Sequence, residues 1–461
     1  MRDHGLTPGG TGREGTGRQG TGRRPRILLV AFHFPPGRGS AVFRNRAWAN
    51  LLAAAGWDVT VLTTTREWFR QATGGVDDDL AETVAPEVRV VRVPFSPQRY
   101  RPDLGTMSWL QANFTATYNR LTTELPDRLF PERHALWYPA AAAAGLADVA
   151  RRGRRPDLVM ATGNPFASYA VTRALGRALR VPYVLDFHDA WTLEQYAEKE
   201  AFPPGHPAWA WEEKVIRGAA RVLTVNRPFH DWYAARYPWA ADKMRVAENG
   251  WATDVLADMA PPVPVPDGRP LRFGYVGTIR HDLPLDVFAA GWRQARERHP
   301  AMRDATFALH GHIGYFAKDT DRISATLPYD VPGFELAGPV GHLNLPQTFA
   351  QLDVLLALLP STQYLTSAKI YDYVAALRPI VGVHHPRNPT SDVVTGYPWW
   401  YPLRDLTADE VERALGEAAD AARTAPRADD IEAARAVAAR HTWEAHLNPA
   451  IEDFTGLVGR G

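Results

Sequence analysis

The sequence predicts an α/β protein made of two doubly wound domains. Residues 27–32 form a continuous apolar run, followed by a glycine-containing turn, a helical stretch and a second apolar run. This succession is typical of the opening of a parallel sheet. The same pattern returns at residues 272–276, after a proline-rich stretch at 261–270 that has the composition of a stiff linker. We therefore expect two sheets of similar design, one on each side of this linker.

The composition narrows the classes of function. With 45% hydrophobic residues, the 461-residue chain can fill the cores of two ordinary domains. The net charge of +1 disfavours nucleic acid as a partner. Because cysteine is absent, disulfides and cysteine-ligated metal centres are excluded, in keeping with a cytoplasmic protein. No apolar run reaches the ~18 residues of a membrane span, so we expect any membrane contact to be peripheral, at the inner face.

Three stretches fall outside this pattern. Residues 1–25 repeat Thr-Gly-Arg with almost no apolar side chains, which predicts a disordered leader. The run Asp77, Asp78, Asp79 invites a metal-site interpretation, but its polar surroundings favour a solvated loop. Residues 94–139 are aromatic without a clear period, and we interpret them as an insertion for acceptor recognition or membrane-surface contact.

Residues 366–383 carry the most informative pattern. Thr366 or Ser367 is expected to cap a helix that ends before Pro379. Lys369 lies in the first turn, where a cation and open backbone N–H groups suit a phosphate. Asp372, three residues on, suits a diol on the same face. Together they indicate a site for a nucleoside diphosphate, although an ordinary surface Lys–Asp pair at this spacing remains the alternative.

This stretch resembles the donor-binding helix of glycosyltransferase family four, the retaining GT-B enzymes. The matching residues are Ser367, Lys369, Asp372, Tyr373, Ala375, Ala376, Arg378 and Pro379. Three positions depart from the family pattern: Asp372 and Tyr364 stand where the family has its two glutamates, and Leu377 stands where it has glycine. The resemblance implies that Tyr364, Thr366, Ser367 and Asp372 bind the donor.

Two blocks of the first half extend the resemblance. The loop after the first strand matches the family's N-terminal loop through Gly37, Gly39, Ser40 and Arg44. The resemblance implies donor contacts for the first three and an acceptor contact for Arg44. The second block, with Asn164 in the turn before it, runs from Asp186 through His188 and Asp189 to Trp191, with His188 in place of the usual arginine. His188 and Asp189 are implied as catalytic residues, and Asn164 and Trp191 as acceptor contacts.

The second half opens on a strand that closes with Gly277, Thr278 and Arg280. In the family, a basic residue here is aimed at the donor diphosphate, so Arg280 is expected to act with Lys369. The resemblance implies a GT-B architecture of two Rossmann-like domains facing a cleft. Its predicted segments are a leader (1–25), an acceptor domain (26–260), a linker (261–270), a donor domain (271–440) and a final helix (441–461) crossing back to the first domain.

The implied function is a metal-independent, retaining transfer of a sugar from a UDP- or GDP-linked donor to an acceptor. No cofactor or metal ligand is expected. The alanine- and arginine-rich composition is typical of a high-GC bacterial gene, which favours a cell-envelope glycan or a natural product as the acceptor. Two alternatives stay open: a GT-B nucleotide-sugar epimerase, which would draw its acid and base from Asp186, Asp189 and Asp372, and a non-catalytic nucleotide-sugar-binding protein.

Overall fold

The computed structural model describes residues 23–73, 75–95, 109, 113–119, 130–314, 317–325 and 327–459. The predicted leader lies almost wholly outside the described residues, as does much of the aromatic stretch 94–139. Within the described ranges, the chain forms two parallel sheets and a short antiparallel hairpin. The predicted α/β architecture of two doubly wound domains is confirmed.

The first sheet is built by the first half of the chain. Its strands are β1 (Arg26–Val30), β2 (Asp58–Thr64), β3 (Arg89–Val93), β4 (Leu158–Gly163), β5 (Tyr183–Phe187), β8 (Arg221–Thr224) and β9 (Met244–Val246). They lie in the order β3-β2-β1-β4-β5-β8-β9, and the neighbouring strands are parallel. The hairpin of β6 (Leu193–Glu194) and β7 (Lys199–Glu200) projects from the loop after β5. The direction of winding reverses between β1 and β4, which marks the switch point where such sheets bind ligands.

The second sheet repeats this design. Its strands are β10 (Arg272–Val276), β11 (Thr306–His310), β12 (Phe334–Leu336), β13 (Val354–Leu358), β14 (Ile380–Val383) and β15 (Trp400–Pro402). They lie in the order β12-β11-β10-β13-β14-β15, again all parallel. Its switch point is therefore between β10 and β13.

Helices cover both faces of each sheet, which explains why the central strands are apolar throughout rather than alternating. Several begin at a side-chain cap: for example, Asn226 Oδ1 accepts a hydrogen bond from the N–H of Phe229 at 2.9 Å. No described helix is long and apolar enough to cross a membrane. The helix bounds are Ser40–Ala54, Arg66–Thr73, Asp78–Glu82, Thr115–Asn119, Trp137–Arg152, Ala167–Leu179, Pro207–Gly218, Arg227–Arg236, Thr253–Leu256, Leu285–Arg298, Ala317–Ser324, Leu345–Ala350, Lys369–Ala375, Thr390–Val393, Ala408–Arg423, Ala428–Ala439 and Trp443–Val458.

The last helix, Trp443–Val458, packs on the first domain. Its residues Trp443, Leu447, Ile451 and Phe454 are buried in one cluster with strand β1. Phe454 stacks on Trp48, with ring centroids 5.8 Å apart, and Asp453 pairs with Arg221 at 2.5 Å. The segment boundaries at residues 260, 270 and 440 stay predictions.

Two local expectations were wrong. The donor-site helix begins at Lys369 without a side-chain cap, because the hydroxyl of Thr366 instead accepts a hydrogen bond from Asn226 Nδ2 at 3.2 Å. Asp77 is not part of a solvated loop: its carboxylate accepts from the N–H of Leu80 at 3.0 Å and caps the helix Asp78–Glu82.

Candidate active site

The predicted donor residues of the second domain meet at its switch point. The loop after β10 carries Gly277, and the loop after β13 leads into the helix that Lys369 begins. The lysine side chain lies directly over the glycine, since a Cβ at Gly277 would be 2.6 Å from Lys369 Cε. Lys369 Nζ is 4.9 Å from the ring centroid of Tyr275, whose hydroxyl donates to the carbonyl of Thr278 at 2.7 Å. The fold thus holds an ammonium group at the sheet edge where a ligand is expected.

The pKa values of the ionisable side chains in this site are shifted by burial and by one another. Burial, and then the nearby Arg280, lower the pKa of Lys369 to about 8, against the opposing effects of Asp282 and Asp372. Burial raises the pKa of Asp372 to about 7, and Lys369 opposes that rise. The lysine is therefore a cation at neutral pH, but an anion at the site would hold its proton more firmly.

Arg280 is positioned by a carboxylate that sequence reasoning missed. Asp282 accepts from its Nε at 2.9 Å and from its Nη2 at 3.0 Å. The guanidinium also lies 4.3 Å from the ring centroid of Tyr196, which belongs to the hairpin of the first domain. The Arg-x-Asp spacing was the available signal for the carboxylate. No sequence signal indicated the aromatic partner, Tyr196, because it belongs to the other domain.

The loop before Lys369 contacts the first domain through hydrogen bonds and one aromatic ring. The hydroxyl of Thr362 donates to the carbonyl of Gln195 at 2.5 Å, and Gln195 Nε2 donates to the carbonyl of Tyr364 at 3.2 Å. The ring of Tyr364 packs against the core of the first domain. Ser367 is half-buried one residue beyond Thr366, and its carbonyl accepts from the N–H of Ile370 at 3.2 Å. The predicted donor loop is thus held against the first domain, largely by backbone atoms.

In the first domain, His188 and Asp189 follow β5 directly. His188 is buried, and its Nδ1 has no hydrogen-bond partner among the described residues. Burial lowers its pKa, Arg44 adds to the effect, and Asp189 and Asp186 oppose it. The charge of His188 also helps to lower the pKa of His33, so the two imidazoles share one neighbourhood. A neutral imidazole with an open nitrogen suits hydrogen bonding to a hydroxyl.

The glycine loop after β1 has a buried part and an exposed part. Gly37 is buried, its N–H donates to the carbonyl of Phe34 at 3.0 Å, and a Cβ there would be 2.8 Å from the Phe69 ring. Its role is packing, which does not support the expected donor contact. Gly39 and Ser40 are exposed, at the start of the helix Ser40–Ala54. Burial lowers the pKa of His312 in the second domain, and the charge of Arg38, next to Gly39, lowers it further, so this loop lies near the second domain.

The position of Arg44 gives no support to the expected acceptor contact. It is fully buried and forms a bidentate pair with Asp186, with Nε–Oδ2 at 2.8 Å and Nη2–Oδ1 at 2.7 Å. Its remaining N–H groups donate to the carbonyls of Ala247 and Glu248 and to Asn249 Oδ1. All five donors are therefore used inside the first domain.

Two predicted acceptor contacts, Asn164 and Trp191, lie in the segments that follow β4 and β5. Asn164 is half-buried, at the switch point of the first sheet. Trp191 is buried, and its ring stacks on Phe166 at a centroid distance of 5.2 Å and an interplanar angle of 10°. The expected acceptor contact of Trp191 is therefore not supported, because its ring is buried in the core of the first domain.

Comparisons with known proteins concern the family of the first domain and the fold of the whole chain. Residues 39–250 match the model of a family described as a glycosyl transferase 4-like domain. No curated protein matches the chain by sequence. Among solved structures, a sucrose-phosphate synthase from Thermosynechococcus elongatus is similar, with a TM-score of 0.63 and 16% identity over 95% of this chain and 100% of that chain.

Two further structures share the fold. A glycosyltransferase from Rickettsia africae has a TM-score of 0.62 and 13% identity, over 95% of this chain and 100% of its own. HepE from Anabaena, solved in complex with UDP-glucose, has a TM-score of 0.58 and 12% identity, over 94% of this chain and 99% of its own. At these identities the likeness concerns the fold, and the family match concerns the first domain. The chain therefore resembles glycosyltransferase family four through its first domain, and it shares the GT-B fold of these solved structures.

Proposed function

We propose that this protein is a retaining glycosyltransferase that moves a sugar from a nucleoside diphosphate sugar to a cell-envelope glycan or a natural product. The observation that carries the proposal is the position of Lys369 over Gly277, beside Arg280, at the switch point of the second sheet. HepE, which shares the fold, is described with UDP and with UDP-glucose, and this supports a nucleotide-sugar donor. A cytoplasmic location and independence of metal ions in the transfer step are parts of the same proposal.

The chemistry follows from the charges on each side of the cleft. The acceptor hydroxyl oxygen attacks the anomeric carbon from the side that the diphosphate leaves, the bond to the phosphate oxygen breaks, and that oxygen takes the acceptor proton. Lys369 and Arg280 stabilise the negative charge that grows on the leaving diphosphate, which is usually the largest catalytic contribution. Asp372, when ionised, accepts from the ribose diol. His188 and Asp189 orient the acceptor from the first domain.

The structure bears on the epimerase alternative. Such an enzyme needs an acid and a base in the cleft, and the chain offered Asp186, Asp189 and Asp372. Asp186 is fully buried and accepts from Arg44 and, at 2.9 Å, from Trp48 Nε1, so it is not available to a substrate. This arrangement leaves Asp189 and Asp372 as the acid and base of an epimerase. The non-catalytic alternative is left to experiment.

A two-stage experiment tests the proposal. A thermal-shift screen with UDP, GDP and dTDP should identify the base, because a ligand at 100 times its Kd adds about 2.7 kcal/mol to the free energy of unfolding. Turnover of the matching nucleotide sugar is then measured in the wild type, in Lys369→Met and in the control Lys214→Met, an exposed lysine of another helix.

Lys369→Met should lower the rate on the order of 10²-fold, and the control should not change it. Nucleotide binding without hydrolysis or transfer would support a non-catalytic protein. An epimer formed without an acceptor would support an isomerase, and an inverted product anomer would exclude the retaining mechanism.

A further inference from the structure

A cluster of one carboxylate and two imidazoles lies outside the cleft residues discussed above. The ligand-type atoms of Glu248, His441 and His446 are all within 4.8 Å of one another. Glu248 follows β9 of the first sheet, His441 precedes the last helix, Trp443–Val458, and His446 lies in its first turn. All three side chains are partly exposed, so an ion has a path from solvent.

The two imidazole rings approach each other through one nitrogen of each ring. His441 Nδ1 is 3.0 Å from His446 Nε2, and the rings stack with an interplanar angle of 26°. Two nitrogens bound to one tetrahedral Zn²⁺ lie about 3.3 Å apart, so a small rotation of the rings admits the ion.

The carboxylate of this cluster is held by a neighbouring side chain. Tyr371 donates its hydroxyl to Glu248 Oε2 at 3.1 Å, which fixes the carboxylate. In the part of the chain that the structure describes, no cationic side chain forms an ion pair with Glu248.

We propose that Glu248, His441 and His446 form a Zn²⁺ site that joins the end of β9 to the last helix. Two imidazoles and one carboxylate are a ligand set that suits zinc, whereas calcium and magnesium prefer oxygen alone. Water takes the fourth position. Tyr371 belongs to the same helix as Lys369, so the ion stabilises the connection between the first domain and the donor helix. The site does not depend on the proposed transfer reaction, and it takes no part in it.

The experiment uses the full chain, freed of metal with a chelator and then titrated with ZnCl₂ under calorimetric and thermal-shift readouts. The wild type should bind one equivalent and unfold at a higher temperature. His446→Gln and Glu248→Gln should each weaken binding by more than tenfold, and Tyr371→Phe by about 10- to 100-fold through the lost hydrogen bond. His230→Gln, on the helix Arg227–Arg236, is the matched control and should bind as the wild type does.

Co²⁺ gives a second readout that needs no variant. Bound to the wild type in place of zinc, it should show the intense visible absorption of a four-coordinate site, and ZnCl₂ should abolish it. Absence of zinc binding by the wild type, or equal binding by His446→Gln and Glu248→Gln, would overturn the proposal. In that case the two histidines form only a hydrogen bond to each other.

Discussion

Gly277 lies directly beneath the side chain of Lys369, so close that a Cβ at this position would be 2.6 Å from Lys369 Cε and 3.3 Å from Nζ. The glycine has φ of +152°, a conformation that side-chain-bearing residues rarely adopt. The end of β10 therefore sets the position of the cation in the candidate donor site.

Gly277→Ala should weaken nucleoside diphosphate binding by about tenfold, or ~1.4 kcal/mol, because the new methyl group displaces the ammonium. Calorimetric titration with the nucleotide found in the thermal-shift screen measures the effect. Gly456→Ala is the control, since a Cβ there meets no atom within 4 Å and the position lies on the last helix. Equal affinity in Gly277→Ala and the wild type would show that Lys369 does not contact the ligand.

Nucleotide binding should take up protons on the alkaline side of neutrality. The pKa of Lys369 in the free protein is lowered to about 8, so above this pH the side chain is mostly neutral. A bound diphosphate favours the ammonium form and raises the pKa again. Calorimetry at pH 8.5 in buffers of different ionisation enthalpy measures the uptake, and the affinity should fall as the pH rises through 8. In Lys369→Met, both the uptake and this part of the pH dependence should be lost.

The buried pair of Arg44 and Asp186 should be a major contributor to the stability of the first domain. Arg44→Met leaves a buried carboxylate without its cation and should cost about 3–5 kcal/mol of the free energy of unfolding. Urea denaturation measures this cost. Arg217→Met, which removes an exposed pair with Glu213, should cost less than about 1 kcal/mol.

A double variant tests whether Arg44 and Asp186 stabilise the domain as a pair. Arg44→Met combined with Asp186→Leu should be more stable than Arg44→Met alone, because no charge is left buried and unpaired. Additive losses would instead mean that the two residues stabilise the domain independently.

The same pair shows where sequence reasoning ended. An arginine on the helix after a glycine loop looks like a site residue, and its partner Asp186 lies 142 positions away. The family pattern led us to expect Lys369 and Arg280 at one site, and the structure brings them near each other, since Arg280 adds to the effect of burial in lowering the pKa of Lys369. The pairing of Arg44 with Asp186 was missed, because no motif spans the two segments. Glu248 and His441 illustrate the same limit, since only the return of the last helix to the first domain brings them together.

Leu377 shows a departure from the family pattern that the structure explains. It stands where glycine is usual and has φ of +53°, a conformation that costs a leucine about 1–2 kcal/mol. Its side chain is only 4% exposed, and burial of a leucine contributes about 1.5–3 kcal/mol. The burial offsets the strain, so the helix can end here without a glycine.

Gly250→Ala should loosen the last helix from the first domain. A Cβ at this glycine would lie 2.6 Å from the backbone atoms Thr442 C and Trp443 N, which are not free to rotate away as a side chain would. The crossing is held by two backbone hydrogen bonds, from Trp251 N–H to the carbonyl of His441 at 3.0 Å and from Trp443 N–H to the carbonyl of Trp251 at 3.1 Å. Overpacking together with the strain on these bonds should cost about 3 kcal/mol.

Hydrogen exchange resolves whether this loss is local. Amides of the helix Trp443–Val458 should exchange faster in Gly250→Ala, while those of the central strands β10 and β13 keep their protection. Gly459→Ala, just past the end of the same helix, is the control and should leave exchange within the helix unchanged. Uniform acceleration across both sheets would mean that the crossing unfolds together with the whole chain, and unchanged exchange would mean that the backbone accommodates the methyl group.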